Sequence, residues 1–315
     1  MKTYSTSIKF VLLAALMLVI ASLACTFDSG NEDEIASMQQ TQVAIQLTQI
    51  ALDNSALDKP AEPVEPAEIE PQPPVEEIPE TIEEVVEEPP DVVYEGISFS
   101  FDPQIAGGII PTTIPGQNMG EDYMPSETYP THHEFGFSGY AVLDHFHTPK
   151  ILIYPVDEFR TISAYASDII DRIQQTLISK PGGASMSDFP HLPMWNAAQM
   201  FAAKVTYFDF KNGSGVRFLT MYGQDVYPVD NQNMIFTYQG LTSDGRYYIS
   251  ANLPVTNFGL PYDGASVMGD YMTFHENWDT YIADTIAWLE AQDQANFYPN
   301  LDQLDAMMAS FEINR

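Results

Sequence analysis

Four of the six histidines fall within residues 132–147, as His132-His133-Glu134 and Asp144-His145-Phe146-His147. An imidazole serves as a metal ligand when neutral and as an acid–base group near neutral pH. If 144–147 is extended, His145 and His147 project from one side of the strand, the spacing of a ligand pair. A third ligand from His132, His133 or Glu134 across a hairpin would complete a zinc site with an open position, the arrangement of a metal-dependent hydrolase. The same four histidines also suit solvated loop and edge positions beside Thr148-Pro149, so the spacing assigns no metal or cofactor.

Other chemistry is sparser. Asp225, Asp230, Asn231 and Asn233 supply oxygen donors within one loop, as calcium needs, but do not follow the EF-hand spacing. Asp157-Glu158 and Glu276/Asp279 are carboxylate pairs whose use as glycosidase acids depends on their separation. Gly264-Ala-Ser-Val-Met-Gly269 has one residue too many for a nucleophile elbow, and Gly213-Ser-Gly215 reads as part of a hairpin turn. Neither G-x-x-x-x-G-K-[ST] nor G-x-G-x-x-G occurs, so no nucleotide site is indicated. Phe189-Pro-His-Leu-Pro-Met-Trp195 is a proline-braced loop that would either offer Trp195 to a ligand or pack it into the core. Tyr247 and Tyr248 are adjacent on a strand and must face opposite sides, which buries at least one.

The single cysteine, Cys25, excludes disulfide frameworks, cysteine zinc ribbons, iron–sulfur clusters and thiol catalysis in the body of the chain. Ahead of it, Lys2 and Lys9 precede an uncharged apolar run of twelve residues, 10–21. At about 1.5 Å per residue that run covers about 18 Å, against about 30 Å of bilayer hydrocarbon. It reads as the apolar region of a signal peptide. The following Ser22-Leu23-Ala24-Cys25 resembles the lipobox of bacterial lipoproteins, with Ser22 where that family usually has leucine and Leu23 next to it. The resemblance implies cleavage after residue 24 and lipidation of Cys25. Two or three acyl chains, at about 0.8 kcal/mol per buried CH₂, would hold the protein on the cell membrane, facing outside the cytoplasm.

These candidate groups must be positioned by the rest of the chain, and charge shows how it is divided. The chain has 315 residues, with 12 Lys+Arg against 44 Asp+Glu and a net charge of −32. Residues 28–96 hold 19 of those acids against Lys59 alone, while 97–315 hold 25 acids and 9 bases. An acid excess this large excludes nucleic acid as a natural partner. Within the lipid-anchored segment 25–58, Val43, Leu47, Ile50 and Leu57 recur at heptad spacing with Asn54 between the last two. This predicts a short amphipathic helix over 36–57, through which the protein could form homo-oligomers. Residues 59–93 form a spacer, and 59–91 contain nine prolines and eleven glutamates. Such a segment is extended and self-repelling, and at about 3.1 Å per residue reaches roughly 100 Å.

From residue 94 to 315 the composition is that of a packed domain. The runs 201–210 and 216–222, joined by Lys-Asn-Gly-Ser-Gly with Asn212, Gly213 and Gly215 available for positive φ, predict a hairpin. A second hairpin is predicted from 234–239 and 247–253 through Thr242-Ser-Asp-Gly245, giving an antiparallel meander. Further strands are predicted at 96–101, 134–140, 150–155 and 310–313, and helices at 167–179, 278–291 and 301–309, the last capped by Asn300. Strands in runs with helices inserted make an α+β fold, an antiparallel sheet packed with a few helices. The opening Tyr94-Glu-Gly-Ile-Ser-Phe-Ser-Phe-Asp-Pro103 and the closing Leu304-Asp-Ala-Met-Met-Ala-Ser-Phe-Glu-Ile313 resemble the first strand and last helix–strand of PsbP/Mog1-like α/β/α sandwich domains. Residues 236–248 are similar to the ectodomains of uncharacterised bacterial lipoproteins. The resemblance implies a non-enzymatic binding or assembly role.

The expectation is therefore a lipid-anchored protein that presents a non-catalytic domain to a protein or envelope partner. The alternatives are an assembly protein working through the 36–57 helix, and a metal-dependent hydrolase using His132, His133, His145 and His147.

Overall fold

The computed structural model describes residues 89–120, 123–182 and 189–315, all within one compact unit that runs from Glu84 to Arg315. The expected signal peptide at 1–24, Cys25, the predicted helix at 36–57 and the predicted spacer up to residue 88 lie outside the described residues. Fourteen strands follow in chain order: β1 Val92–Tyr94, β2 Ile97–Phe99, β3 Ala106–Ile114, β4 His132–Tyr140, β5 Lys150–Pro155, β6 Ala198–Gln199, β7 Ala203–Phe210, β8 Gly213–Thr220, β9 Tyr222–Gly223, β10 Ile235–Thr242, β11 Tyr247–Pro254, β12 Thr256–Asn257, β13 Phe297–Tyr298 and β14 Glu312–Ile313. The helices are α1 Val156–Ile162, α2 Ala164–Ser179, α3 Ala265–Met268, α4 Tyr271–Glu276, α5 Trp278–Ala291 and α6 Leu301–Ala309. The fold is α+β. Among the described residues no helix is long and apolar enough to cross a membrane.

A seven-stranded antiparallel sheet, ordered β3-β4-β5-β11-β10-β8-β7, carries the domain. The predicted meander supplies one half of it, and β3-β4-β5 supplies the other through pairing of β5 with β11 (Ile153 opposite Ile249). The edge strand β3 escapes prediction because Gly107, Gly108 and Pro111 weaken its pattern; an edge position tolerates a proline that a central strand would not. A separate three-stranded sheet pairs β2 with both β1 and β14, so the opening and closing segments of the domain meet there.

Both faces of the large sheet are covered. Alternation along β11 sends Ile249, Ala251 and Leu253 to one face, where Ile282, Ile286 and Leu289 of α5 and Leu301, Leu304 and Met307 of α6 pack. Tyr248 points the other way, with Val216 and Phe218, onto Ile169, Ile170 and Ile173 of α2. Each of those isoleucines contributes about 1.5–3 kcal/mol by burial. Helix α2 begins where the Ser163 side chain accepts a hydrogen bond from the Ala166 N–H, and it ends at Lys180, whose left-handed φ of 44° leads into Pro181.

The β7–β8 connection corrects the predicted turn. Only Lys211 and Asn212 form it; Gly213 to Gly215 already belong to β8, and none of the three residues expected at positive φ has it. Glycine is required there for close approach, since a Cβ on Gly213 would strike the Phe210 ring and the Leu241 carbonyl oxygen, and one on Gly215 the Tyr238 ring. At the β10–β11 turn the expectation holds, with Gly245 at φ 72°.

Candidate functional site

Strand β4 starts two residues before the predicted one, which places His132 and His133 in the sheet on opposite faces. His132 lies among Tyr129 and Tyr154, and its Nδ1 is 2.8 Å from the Pro130 carbonyl oxygen. His133 points to the other side, its Nδ1 3.1 Å from Thr113 Oγ1 and its Nε2 against the Arg315 guanidinium. Both are buried, so neither is a solvated loop histidine. Burial is the largest cause holding both below the usual histidine pKa, with Arg315 adding to it at His133.

His145 and His147 lie in the bend between β4 and β5, which is not a strand. The His145 Nδ1 accepts the His147 backbone N–H at 3.0 Å, so Nε2 carries the proton and donates to the Met234 carbonyl oxygen at 2.9 Å. With both nitrogens engaged, His145 has no lone pair left for a metal. His147 stacks flat on Trp195, ring centroids 4.5 Å apart and planes 11° from parallel. Burial, with His145 and His191 close by, pushes its pKa down to about 4. His145 and His147 thus stay close, with ring centroids 5.7 Å apart, while His132 and His133 face opposite sides of the sheet, and among the described residues no three His, Cys, Asp or Glu side chains converge as metal ligands.

The loop donors expected for calcium are likewise committed. Asp230 is fully buried; its Oδ1 accepts the backbone N–H groups of Gln232 (3.1 Å) and Asn233 (2.9 Å), and its Oδ2 that of Gly264 (2.7 Å). Asn231 clamps the 257–260 loop through the Asn257 N–H and the carbonyl oxygens of Asn257 and Leu260. Asp225 accepts from the Val226 N–H and the Tyr271 hydroxyl.

The structure brings together a different set. Trp195, reached from the proline-braced loop, packs with His147 on one side and with His191 and Tyr222 at centroid distances of 4.7 and 4.5 Å. Beside it opens a cleft of about 250 Å³ lined by Tyr165 and Ile169 of α2, Phe189, Met194, Gln199 and Tyr222 among others. Trp195 is therefore half-buried and at the cleft wall, between the two positions expected from the sequence. A separate recess of about 420 Å³ beside Tyr123, Pro125 and Ile162 shares Tyr165 with this cleft, and another of about 460 Å³ lies beside Tyr129, Pro130 and the Asp157-Glu158 pair.

Beneath the cleft runs a buried polar row. Thr237 and Gln239 of β10 and Ser250 and Asn252 of β11 face the α2 side at i, i+2 spacing. Gln239 Nε2 donates to Thr237 Oγ1 and Ser250 Oγ, and its Oε1 accepts from the Tyr248 hydroxyl at 2.6 Å and the Leu192 N–H at 3.2 Å. Ser250 Oγ donates to the Leu192 carbonyl oxygen, and Asn252 Oδ1 lies 2.7 Å from His191 Nε2. Each member is bonded, as burial requires. The row fastens the 189–195 loop to the sheet and fixes where Trp195 stands. The sequence carried the signal as alternating polar residues in two otherwise apolar strands, but their partners 47 to 61 residues away were not legible. Chemically, the cleft lining combines aromatic rings with polar side chains and holds no carboxylate, lysine or arginine, and His191 and Gln199 in it are hydrogen-bonded within the protein. That arrangement suits binding.

No protein-family model, no curated protein and no solved structure matches this chain.

Proposed function

We propose that this protein is a lipid-anchored, extracytoplasmic binding module. Cys25 carries the anchor, residues 59–93 hold the domain away from the membrane, and the domain engages a protein or envelope component without catalysis. The observation that carries the reading is the cleft at Trp195, Tyr222 and Tyr165, a concave surface rich in aromatic rings whose His191 and Gln199 side chains are hydrogen-bonded within the protein. The resemblance of the domain's opening and closing segments to PsbP/Mog1-like domains is a fold-level analogy that points the same way, to a non-enzymatic role.

Two experiments test it. In cell fractionation with mass spectrometry, Cys25→Ser should move the protein out of the membrane fraction and abolish acyl modification; unchanged partitioning removes the anchor. Cross-linking in solubilised envelopes should recover one reproducible partner, and Trp195→Ala with Tyr222→Ala should weaken its capture. Failure to recover any partner with the wild-type chain removes the binding reading.

A further inference from the structure

Between β12 and α5 the chain makes an excursion that buries little of its own, Gly264 being its one buried residue and Leu260 packing part-buried against the core. Helices α3 and α4 contain no buried residue. Along this stretch Phe258 is 98% exposed, Met272 61%, Val267 59% and Tyr262 59%. Isolated exposed apolar residues are ordinary, but a run of them marks an interaction surface. The excursion is nonetheless firmly held. Asp230 fixes the Gly264 N–H, the Tyr227 hydroxyl donates to Asp263 at 2.8 Å, the Tyr271 hydroxyl donates to Asp225 at 2.7 Å, and Phe274 packs edge-on against Trp278 and Tyr281. A pinned surface binds without first having to order itself.

Its charge selects the partner. From residue 247 to 314 there is no lysine or arginine, while ten acids occur. Of these, Asp305 is taken by Arg217 and Glu290 by Lys204. Glu276, Asp279 and Asp284 stand exposed beside the apolar run, with no cation on this part of the chain to balance them. An anionic lipid surface is repelled by such a face. A segment whose lysines or arginines flank an apolar stripe is attracted, and its stripe finds Met272, Val267 and Tyr262, with methionine able to repack around it.

We propose that the 258–276 excursion, with the exposed carboxylates of α5, is a docking surface for a basic amphipathic helical segment of a partner protein. It shares no residue with the cleft lining, and it rests on the binding-module reading only in giving the domain a protein partner.

The test uses the full-length chain and a synthetic 14-residue lysine–leucine peptide with its leucines on one helical face. Titration calorimetry compares wild type with V267S/M272S and with E276Q/D279N, and melting curves check that both variants fold as wild type does. Each double variant should weaken binding by about tenfold or more, a size expected when central anchors or their charge partners are lost. Added salt should weaken wild type more than E276Q/D279N. A glutamate–leucine peptide of the same pattern should not bind. Peptide affinity unchanged in both variants would place the contact elsewhere, as on the acidic spacer, and overturn the proposal. So would binding to phosphatidylglycerol vesicles without binding to the peptide. Envelope cross-linking separates this from the wider reading. A partner retained by V267S/M272S leaves the module and removes this surface; no partner even with wild type, alongside peptide binding that maps here, removes the module and leaves the surface.

Discussion

Asp230 is an acidic residue whose chemistry is decided by its neighbours. In sequence it belongs with Asp225, Asn231 and Asn233 as an oxygen donor for calcium. In the fold its two oxygens are filled by N–H groups of Gln232, Asn233 and Gly264, which ties the start of β10 to the α3 excursion. Asp230→Ala leaves those buried donors unpaired, and should cost about 3 kcal/mol or more in urea denaturation. An unchanged midpoint would show the clamp to be dispensable. The histidines act as a group at the same scale. His132, His133, His145 and His147 all have pKa values lowered chiefly by burial, so the fold favours their neutral forms. Their contribution to stability is complete above the ordinary value of 6.5 and is lost as pH falls through the lowered values, last at about 4 for His147. The melting temperature should therefore drop between pH 6.5 and 4, and His147→Gln should flatten the lower end of that drop. A wild-type profile level across this range would contradict the burial seen for these rings.

At the scale of elements, the position of α6 depends on one buried cation. Arg217 of β8 is 2% exposed and meets Asp305 of α6 through Nε (3.0 Å) and Nη2 (2.8 Å), with Gln294 Oε1 and the Lys204 carbonyl oxygen also accepting from it. Burial pushes the Asp305 carboxyl up in pKa while Arg217 pulls it down, and burial has the larger effect. Removing one partner strands a buried charge. Asp305→Ala should thus destabilise by about 3–5 kcal/mol, whereas Arg217→Met, combined with Asp305→Leu, should cost much less, because the pair offsets its own desolvation only in part. Chemical denaturation of the single and double variants checks this, and additive losses would refute it. The Gly213 and Gly215 positions belong here too. Both lie in β8 beneath facing aromatic rings, and Gly215→Ala should cost about 1–3 kcal/mol by forcing Tyr238 from its place.

At the scale of the molecule, the domain is a sheet with two unlike coats. The α5 and α6 side is apolar and carries the buried Arg217, and the α2 side carries the polar row that seats the 189–195 loop and the cleft. Function on this reading sits at what the coats leave open, the aromatic cleft on one side and the acidic apolar excursion beyond β12. Much of the scaffold was legible in the sequence. The helices 278–291 and 301–309 and the Asn300 cap are observed as expected, because amphipathic spacing and cap chemistry are local. The site was not legible, because its members, His147, Tyr165, His191, Trp195 and Tyr222, come from four separate stretches. Their meeting depends on the pairing of β5 with β11, which no local pattern encodes.

What the sequence by itself determined is therefore whatever needs only neighbours along the chain: the α+β class, the antiparallel meander, the helix periods, the division of charge, and the apolar run ahead of a single cysteine. The tertiary structure decided which side chains remain available for chemistry. It turned His132 and His133 to opposite faces, spent both His145 nitrogens and both Asp230 oxygens on backbone groups, and set Trp195 at the wall of a cleft. The reason is that a polar side chain is a ligand only while its hydrogen-bonding capacity is free, and burial fills that capacity with whatever backbone the fold brings near.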